Sequence, residues 1–196
     1  MILAFDATAA ECAVALFVDG TLVAERREPM TRGHAERLFP LIEECLAEAG
    51  ETLGSLSAIA VCTGPGNFTG ARIGVAAARG LALSTGAKAI GVDRFEIAAE
   101  GWSELICVRL EGRGGGAHLA LFHNGELIKP AETVQEVDQA DYVGDAKIVD
   151  ADRIDLMALA SIAERRMADD ASPRPAPRYL KPANAALPRE APPQIL

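Results

Sequence analysis

Short apolar runs open the chain and give way to a longer amphipathic stretch. Runs of strand length cover residues 2–6, 13–18 and 22–28, and Asp19-Gly20 between the last two is a strong signal for a hairpin turn. Apolar residues then recur at helical spacing over residues 33–49. This pattern predicts three antiparallel strands followed by one helix.

A second strand–helix unit follows. Residues 58–62 form an apolar run typical of a buried strand, and residues 69–85 have the composition of a helix of small residues, with Thr69 placed to cap its first turn. A strand at 89–92 and a helix at 97–101 complete the first half. This order of elements predicts an α/β fold, in which ligands gather at the carboxyl ends of the strands.

The second half carries weaker signals. Strand-like runs occupy residues 105–110, 119–122, 126–128, 142–143 and 147–149. An amphipathic helix is predicted near 155–167, and seven prolines after residue 172 exclude regular structure there. We therefore divide the chain into a first lobe at 1–101, a reduced second lobe at 102–171 that includes this helix, and a tail at 172–196 that is extended, docked or disordered.

Composition narrows the class of protein. The chain has 196 residues and a net charge of −9 at pH 7, which opposes independent binding to a nucleic-acid backbone because such binding needs a basic face. Cys12, Cys45, Cys62 and Cys107 each stand alone among apolar residues, which predicts buried, reduced thiols. No segment has the composition of a secretion signal or the length of a membrane span. We therefore expect a cytoplasmic protein without membrane contact.

Candidate binding chemistry lies at the ends of two predicted strands. The loop after residue 62 carries four residues suited to a turn or an anion site: Gly64, Gly66, Asn67 and Thr69. Amides at the helix start that follows can hold an anion, and Asp6 and Thr8 after the first strand can help to hold a nucleotide. Alternatively, the Asp6 carboxylate accepts hydrogen bonds within its own turn. Both interpretations remain open, although the loop lacks the GxxxxGK[ST] pattern of a Walker phosphate site.

The sequence predicts no metal site and no catalytic residue. The histidines are His34, His118 and His123, and no two of them have the HxxxH spacing that would place them on one face of a helix. We interpret all three as non-ligands. The GxSxG motif of serine hydrolases is also absent.

Four segments resemble one known family. Residues 64–74, GPGNFTGARIG, resemble the GPGSFTGxRIG signature of the TsaB (YeaZ) family. Residues 2–8 resemble its opening strand and turn, residues 32–38 its RGHAERL helix start, and residues 179–182 its YLRP ending. The resemblance is continuous over about the first half of the chain and patchy after that. The family belongs to the machinery that makes threonylcarbamoyladenosine (t6A) in tRNA.

The resemblance implies a fold and a role. It implies an actin/Hsp70/sugar-kinase-like fold and a non-catalytic subunit that binds TsaD, the transferase that carries threonylcarbamoyl to N6 of adenosine 37 in tRNAs reading ANN codons. It further implies an interaction with the ATPase TsaE, contact with tRNA only through the complex, and a homodimer when TsaD is absent. The chain is expected to have no cofactor of its own, and weak ATP or ADP binding in the complex stays open.

The resemblance also implies a partner interface on the two helices of the first lobe. Small residues on several faces of the second helix favour close approach of another helix. The expected contacts on the helix at 33–49 are His34, Leu38, Leu41, Ile42 and Cys45. Those on the helix at 69–85 are Arg72, Ile73, Ala76, Arg79 and Gly80. The alternatives are a small-molecule kinase or ATPase that uses Asp6 and the loop at 63–69 and, with less support, a glycoprotease-type peptidase.

Overall fold

A five-stranded sheet forms the centre of the first lobe. The computed structural model describes residues 1–112, 116–169 and 173–180. The strands of this sheet are β1 (Ile2–Asp6), β2 (Glu11–Val18), β3 (Thr21–Pro29), β4 (Ala58–Cys62) and β5 (Lys88–Val92). Their order is β3-β2-β1-β4-β5, with β1, β2 and β3 antiparallel and β4 parallel to both β1 and β5. The predicted succession of elements, three antiparallel strands and then a parallel strand–helix unit, is therefore confirmed.

Helices cover both faces of this sheet. The first three are α1 (His34–Ala49), α2 (Phe68–Thr85) and α3 (Arg94–Ala99). Side chains alternate across a strand, so Leu3 and Phe5 of β1 pack with α1 and α2, whereas Ile2 and Ala4 point to the opposite face. The strands of the sheet centre are buried on both sides, which explains their continuous apolar runs.

A second, smaller sheet follows. Its strands are β6 (Ile106–Glu111), β7 (Ala117–His123), β8 (Glu126–Val134) and β9 (Lys147–Asp150), in the order β8-β7-β6-β9. The short helix α4 (Gln139–Val143) lies where the sequence analysis predicted a strand at 142–143, and that prediction is wrong. The Tyr142 hydroxyl donates a hydrogen bond of 2.8 Å to the Leu119 carbonyl, so this tyrosine anchors α4 to β7.

The last helix, α5 (Leu156–Met167), belongs by its packing to the first sheet. Its buried residues, among them Leu159 and Ile162, form one cluster with Ile2 and Ala4 of β1. Asp155 caps it, since its Oδ1 accepts hydrogen bonds from the amides of Met157 and Ala158 in the first turn. The predicted division assigned this helix to the second lobe. The packing corrects that assignment, because the apolar side of α5 covers the sheet face that α1 and α2 leave open.

The start of α2 is capped by Asn67 rather than by Thr69. The Oδ1 atom of Asn67 accepts hydrogen bonds of 3.0 Å from the amides of both Thr69 and Gly70. The helix therefore begins one residue earlier than predicted. Gly70 is required there because a Cβ atom would lie 1.7 Å from the carbonyl oxygen of Ala7.

Two glycines of α2 should respond oppositely to substitution. Gly70→Ala must displace the Ala7 backbone, and we expect it to lower the free energy of unfolding by roughly 3 kcal/mol or more. A Cβ atom added at Gly80 would meet no other atom within 4 Å. Gly80→Ala should therefore stabilise the protein by roughly 0.5–1 kcal/mol, because alanine favours the helix. Urea unfolding measures the change in the free energy of unfolding for each variant. Equal changes in the two variants would contradict the close approach at Gly70.

Candidate functional site at the sheet edge and the outer face of α2

The Asp6 carboxylate is used within its own turn. It is fully buried, and its Oδ1 accepts hydrogen bonds from the Thr8 amide at 2.9 Å and the Thr8 hydroxyl at 2.6 Å. Its Oδ2 accepts a hydrogen bond of 3.1 Å from the Ala9 amide. Of the two interpretations left open by the sequence, this geometry is that of the self-capped turn.

The Gly-rich loop lies directly against this turn. The Asn67 amide donates a hydrogen bond of 2.8 Å to the Thr8 carbonyl, and a Cβ atom on Gly66 would lie 2.4 Å from the same oxygen. The residues predicted as an anion loop are thus brought together, as their positions at neighbouring strand ends led us to expect. However, the Thr69 and Gly70 amides already bind Asn67. An anion at this helix start would have to displace that side chain.

A buried arginine that the sequence analysis did not single out holds this region together. Arg94 is 3% exposed. Its Nε donates to the Ala151 carbonyl at 2.6 Å and its Nη2 to the Asp152 carbonyl at 2.7 Å. Its Nη1 donates to the Pro65 carbonyl at 3.3 Å. The guanidinium therefore joins the Gly-rich loop to the loop after β9, and its position after a strand-end aspartate was the only sequence signal for it.

The described part of the tail docks across the carboxyl ends of β4 and β5. The Arg178 amide donates a hydrogen bond of 2.9 Å to the Thr63 carbonyl, and its Nη1 lies 2.5 Å from Oδ2 of buried Asp93. Pro175 is buried against Gly91, where a Cβ atom would lie 3.1 Å from the proline Cα. Of the states predicted for the tail, the docked one applies to residues 173–180, and residues 181–196 lie outside the described part of the chain.

The charge state of Asp93 follows from this docking. Its Oδ1 accepts a hydrogen bond of 2.7 Å from the Phe95 amide and so caps α3. Burial raises the pKa of the Asp93 carboxyl from 3.8 to about 6, and the Arg178 guanidinium opposes this rise. The tail therefore brings a positive charge to a carboxylate that is otherwise costly to bury.

The expected interface residues of α1 lie in the core of their own lobe. Leu38, Leu41, Ile42 and Cys45 are fully buried against the first sheet, and His34 is buried at the helix start. The expectation that these side chains contact a partner is therefore wrong for this structure. The apolar side of α1 packs on β2 and β3, because that face of the sheet needs a helix to exclude water.

Of the expected contact residues on α2, four are exposed and one, Ile73, is half-buried; the exposed ones are Arg72, Ala76, Arg79 and Gly80. Residues at intervals of three and four form one exposed row. We call this row the α2 stripe, and its members are Phe68, Arg72, Ala76, Arg79 and Leu83. Leu83 is 90% exposed and Phe68 is 49% exposed. Sequence analysis missed both, although each is an apolar residue on the side of the helix opposite to its buried positions.

One end of the α2 stripe forms an ordered aromatic cluster with the tail. The rings of Phe68 and Tyr179 have centroids 5.0 Å apart, and the guanidinium carbon of Arg72 lies 3.8 Å from the Phe68 centroid. The Arg72 Nε donates a hydrogen bond of 2.8 Å to the Tyr179 hydroxyl. These contacts link the tail at the sheet edge to the outer face of the helix.

The four cysteines are buried and unpaired by disulfides, as predicted. Burial raises the pKa of Cys12 to about 12 and those of Cys45 and Cys107 to about 11, and it also raises the pKa of Cys62. Such thiols are poor nucleophiles at neutral pH. Among the residues that the structure describes, no group of three His, Cys, Asp or Glu side chains is placed to hold a metal ion, and no helix has the length and apolarity to cross a membrane.

Known proteins of similar sequence act in tRNA modification. The family model described as "TsaD: tRNA N6-adenosine threonylcarbamoyltransferase" matches residues 26–181. The "tRNA threonylcarbamoyladenosine biosynthesis protein TsaB" of Escherichia coli (strain K12) is 35% identical over 130 residues, 64% of this chain and 56% of that protein. The protein of the same name from Bacillus subtilis (strain 168) is 32% identical over 144 residues, 70% of this chain and 63% of that protein. The chain thus matches less than two thirds of either relative.

A solved structure matches over a longer span. YeaZ from Pseudomonas aeruginosa has a TM-score of 0.72 at 26% identity, covering 91% of this chain and 99% of that chain. The sheet order, the helices on both faces and the smaller second sheet define an α/β protein of the actin/Hsp70/sugar-kinase class, as the resemblance implied. The chain belongs to the family of the TsaD model and, within it, to the TsaB (YeaZ) group.

The raised pKa of Asp93 predicts a pH dependence of stability. Between about pH 4 and pH 6 the folded protein keeps a proton on Asp93 that the unfolded chain has released, so raising the pH through this window lowers the free energy of unfolding. Asp93→Asn keeps a capping oxygen but does not titrate. In the wild type the free energy of unfolding should fall by roughly 2–3 kcal/mol across this window, and we expect the variant to show no such decrease.

Urea unfolding at pH 4, 5, 6 and 7 measures the effect as the difference between wild type and variant. The lowered pKa values of Glu28 and Glu100 make stability rise with pH, but they do so in both proteins. Asp19→Asn, at an exposed turn residue, is the matched control. A wild-type curve parallel to that of Asp93→Asn would contradict the raised pKa.

Proposed function

We propose that this chain is a non-catalytic subunit of the t6A-forming machinery and that it binds TsaD through the α2 stripe. The observation that carries the proposal is the exposure of Phe68 and Leu83 on one row of α2. Monomers rarely leave such a row uncovered. Ala76 lies at its centre with Gly80 beside it, and residues this small allow a second helix to approach closely. Family membership points to TsaD as the partner.

The contacts at the sheet edge favour an accessory role over catalysis. Both oxygens of Asp6 accept bonds from their own turn, and the amides at the start of α2 bind Asn67. The Arg94 guanidinium fills the junction between the loops. The Asp6 carboxylate and the amides at the start of α2, which the sequence analysis considered for a nucleotide or an anion, thus form structural hydrogen bonds. We propose that any ATP or ADP binding by this chain is weak and occurs within the complex.

The remaining partners follow from charge and family. A net charge of −9 disfavours direct binding of tRNA by this chain, so we propose that the partner binds the tRNA. TsaE is proposed as a further partner in the cytoplasm. Without TsaD, the α2 stripe would pair with its own copy in a two-fold dimer, because Phe68 and Leu83 of one copy can be covered by the stripe of the other. The transferase and the second copy would then compete for one surface.

A charge at the centre of the α2 stripe tests the interface. Ala76→Asp would bury a carboxylate at the centre of the helix–helix contact, and we expect the affinity for TsaD to fall at least about 100-fold. The isolated variant should stay folded because Ala76 is exposed in the single chain. Calorimetric titration with TsaD measures the affinity, and a reconstituted tRNA modification assay measures the consequence. Ala140→Asp, at an exposed alanine of α4, is the control.

Light scattering during the same titration follows the assembly state. Wild-type chain alone should be at least partly dimeric and should convert to a heterodimer with TsaD, whereas Ala76→Asp should be monomeric throughout. Full affinity of Ala76→Asp for TsaD would place the interface elsewhere. A homodimer that persists within a larger TsaD assembly would show that the two partners use different faces.

Turnover assays separate this proposal from the kinase and peptidase alternatives. Because Asp6 and Arg94 are engaged in structural bonds, we expect the isolated chain to hydrolyse neither ATP nor labelled casein above the level of Asp6→Asn. That variant keeps an acceptor oxygen in the turn and removes the charge. ATP turnover by the wild type that disappears in Asp6→Asn would favour the kinase instead.

A further inference from the structure

We infer that the docked tail, residues 173–180, is part of the partner surface, because it delivers Tyr179 to the end of the α2 stripe. The inference rests on the proposed function and adds a segment of chain outside the two helices to the interface. It also makes the affinity for the partner depend on whether the tail is docked at the sheet edge.

The tail is held at three points. Pro175 packs closely on Gly91 of β5, where an added Cβ atom would lie 3.1 Å from the proline. The Arg178 backbone is bonded to the Thr63 carbonyl, and its guanidinium meets the Asp93 carboxylate. Leu180 packs against the apolar cluster between α3 and β6. Tyr179 therefore stands between two anchored residues, which leaves its side chain little choice of direction.

That direction is toward the α2 stripe. Tyr179 contacts the Phe68 ring and accepts a hydrogen bond from Arg72, so a tail residue orients these two of the five members of the stripe. The tyrosine is 44% exposed, and the cluster is therefore fixed yet accessible. Aromatic and arginine side chains contribute most to protein interfaces. A cluster ordered before binding loses less side-chain entropy when the partner arrives.

Charge narrows the kind of partner surface that fits. The whole chain is acidic, but Arg72 and Arg79 make the α2 stripe locally basic. The matching face on TsaD should therefore be an apolar helix surface with carboxylates at its margin. It should contact the phenol of Tyr179 as well as the helix, so that the tail and α2 are buried together.

Variants of the full-length chain test the inference. Tyr179→Ala removes the ring that contacts Phe68, and Arg178→Ala removes the ion pair that anchors the tail to Asp93. We expect each to weaken TsaD binding about 5- to 20-fold in calorimetric titration. Tyr179→Phe keeps the ring and loses only the bond from Arg72, so its loss should be smaller, about 2- to 5-fold. Arg174→Ala, at an exposed tail residue, should bind like wild type.

Hydrogen exchange provides a readout that does not depend on TsaD. The Arg178 amide, bonded to the Thr63 carbonyl, should exchange slowly in the wild type and faster in Arg178→Ala. If Tyr179→Ala binds TsaD as tightly as wild type does, the tail is not part of the interface. Tight binding by an Arg178→Ala chain whose amide has become unprotected would overturn the inference as well. A wild-type chain that does not bind TsaD at all would instead refute the proposed function.

Discussion

The fold depends on the close approach of two stretches of backbone, the turn after β1 and the start of α2. Gly66 and Gly70 lie so near the carbonyls of Thr8 and Ala7 that no side chain fits at either position. The approach brings the Asn67 amide to Thr8, and it sets where α2 begins and how it lies on the sheet. Backbone packing therefore accounts for the glycines at positions 66 and 70 of the long Gly-rich motif.

At this contact, the Asp6 carboxylate and the amides at the start of α2 form hydrogen bonds within the protein. In open α/β sheets the carboxyl ends of the strands are the usual binding site. Here that edge holds a self-capped aspartate, a capped helix start, the buried Arg94 and the docked tail with Arg178. On the outer side of α2, by contrast, Phe68 and Leu83 are exposed, and the proposed partner interface rests on that exposure.

Much of this fold follows from local pattern. Strand runs, the Asp19-Gly20 turn and the spacing of α1 and α2 were sufficient for the order of the first lobe. The interface on α1 was not predictable in the same way. Leu38 and Leu41 form an apolar stripe that is equally suited to a partner or to the chain's own sheet, and they pack on the sheet. The exposed Phe68 and Leu83 lie on the side of α2 opposite to its buried positions and were therefore missed.

The sequence by itself determined the succession of elements in the first lobe, the buried cysteines and the family, because each depends on short-range spacing or on one long motif. Only the tertiary structure decided which sheet α5 covers, since two apolar faces were available to it. It also decided that Arg178 reaches Asp93, which lies 85 positions earlier in the chain. Pairings between residues so far apart depend on how the backbone is folded, and no local pattern encodes them.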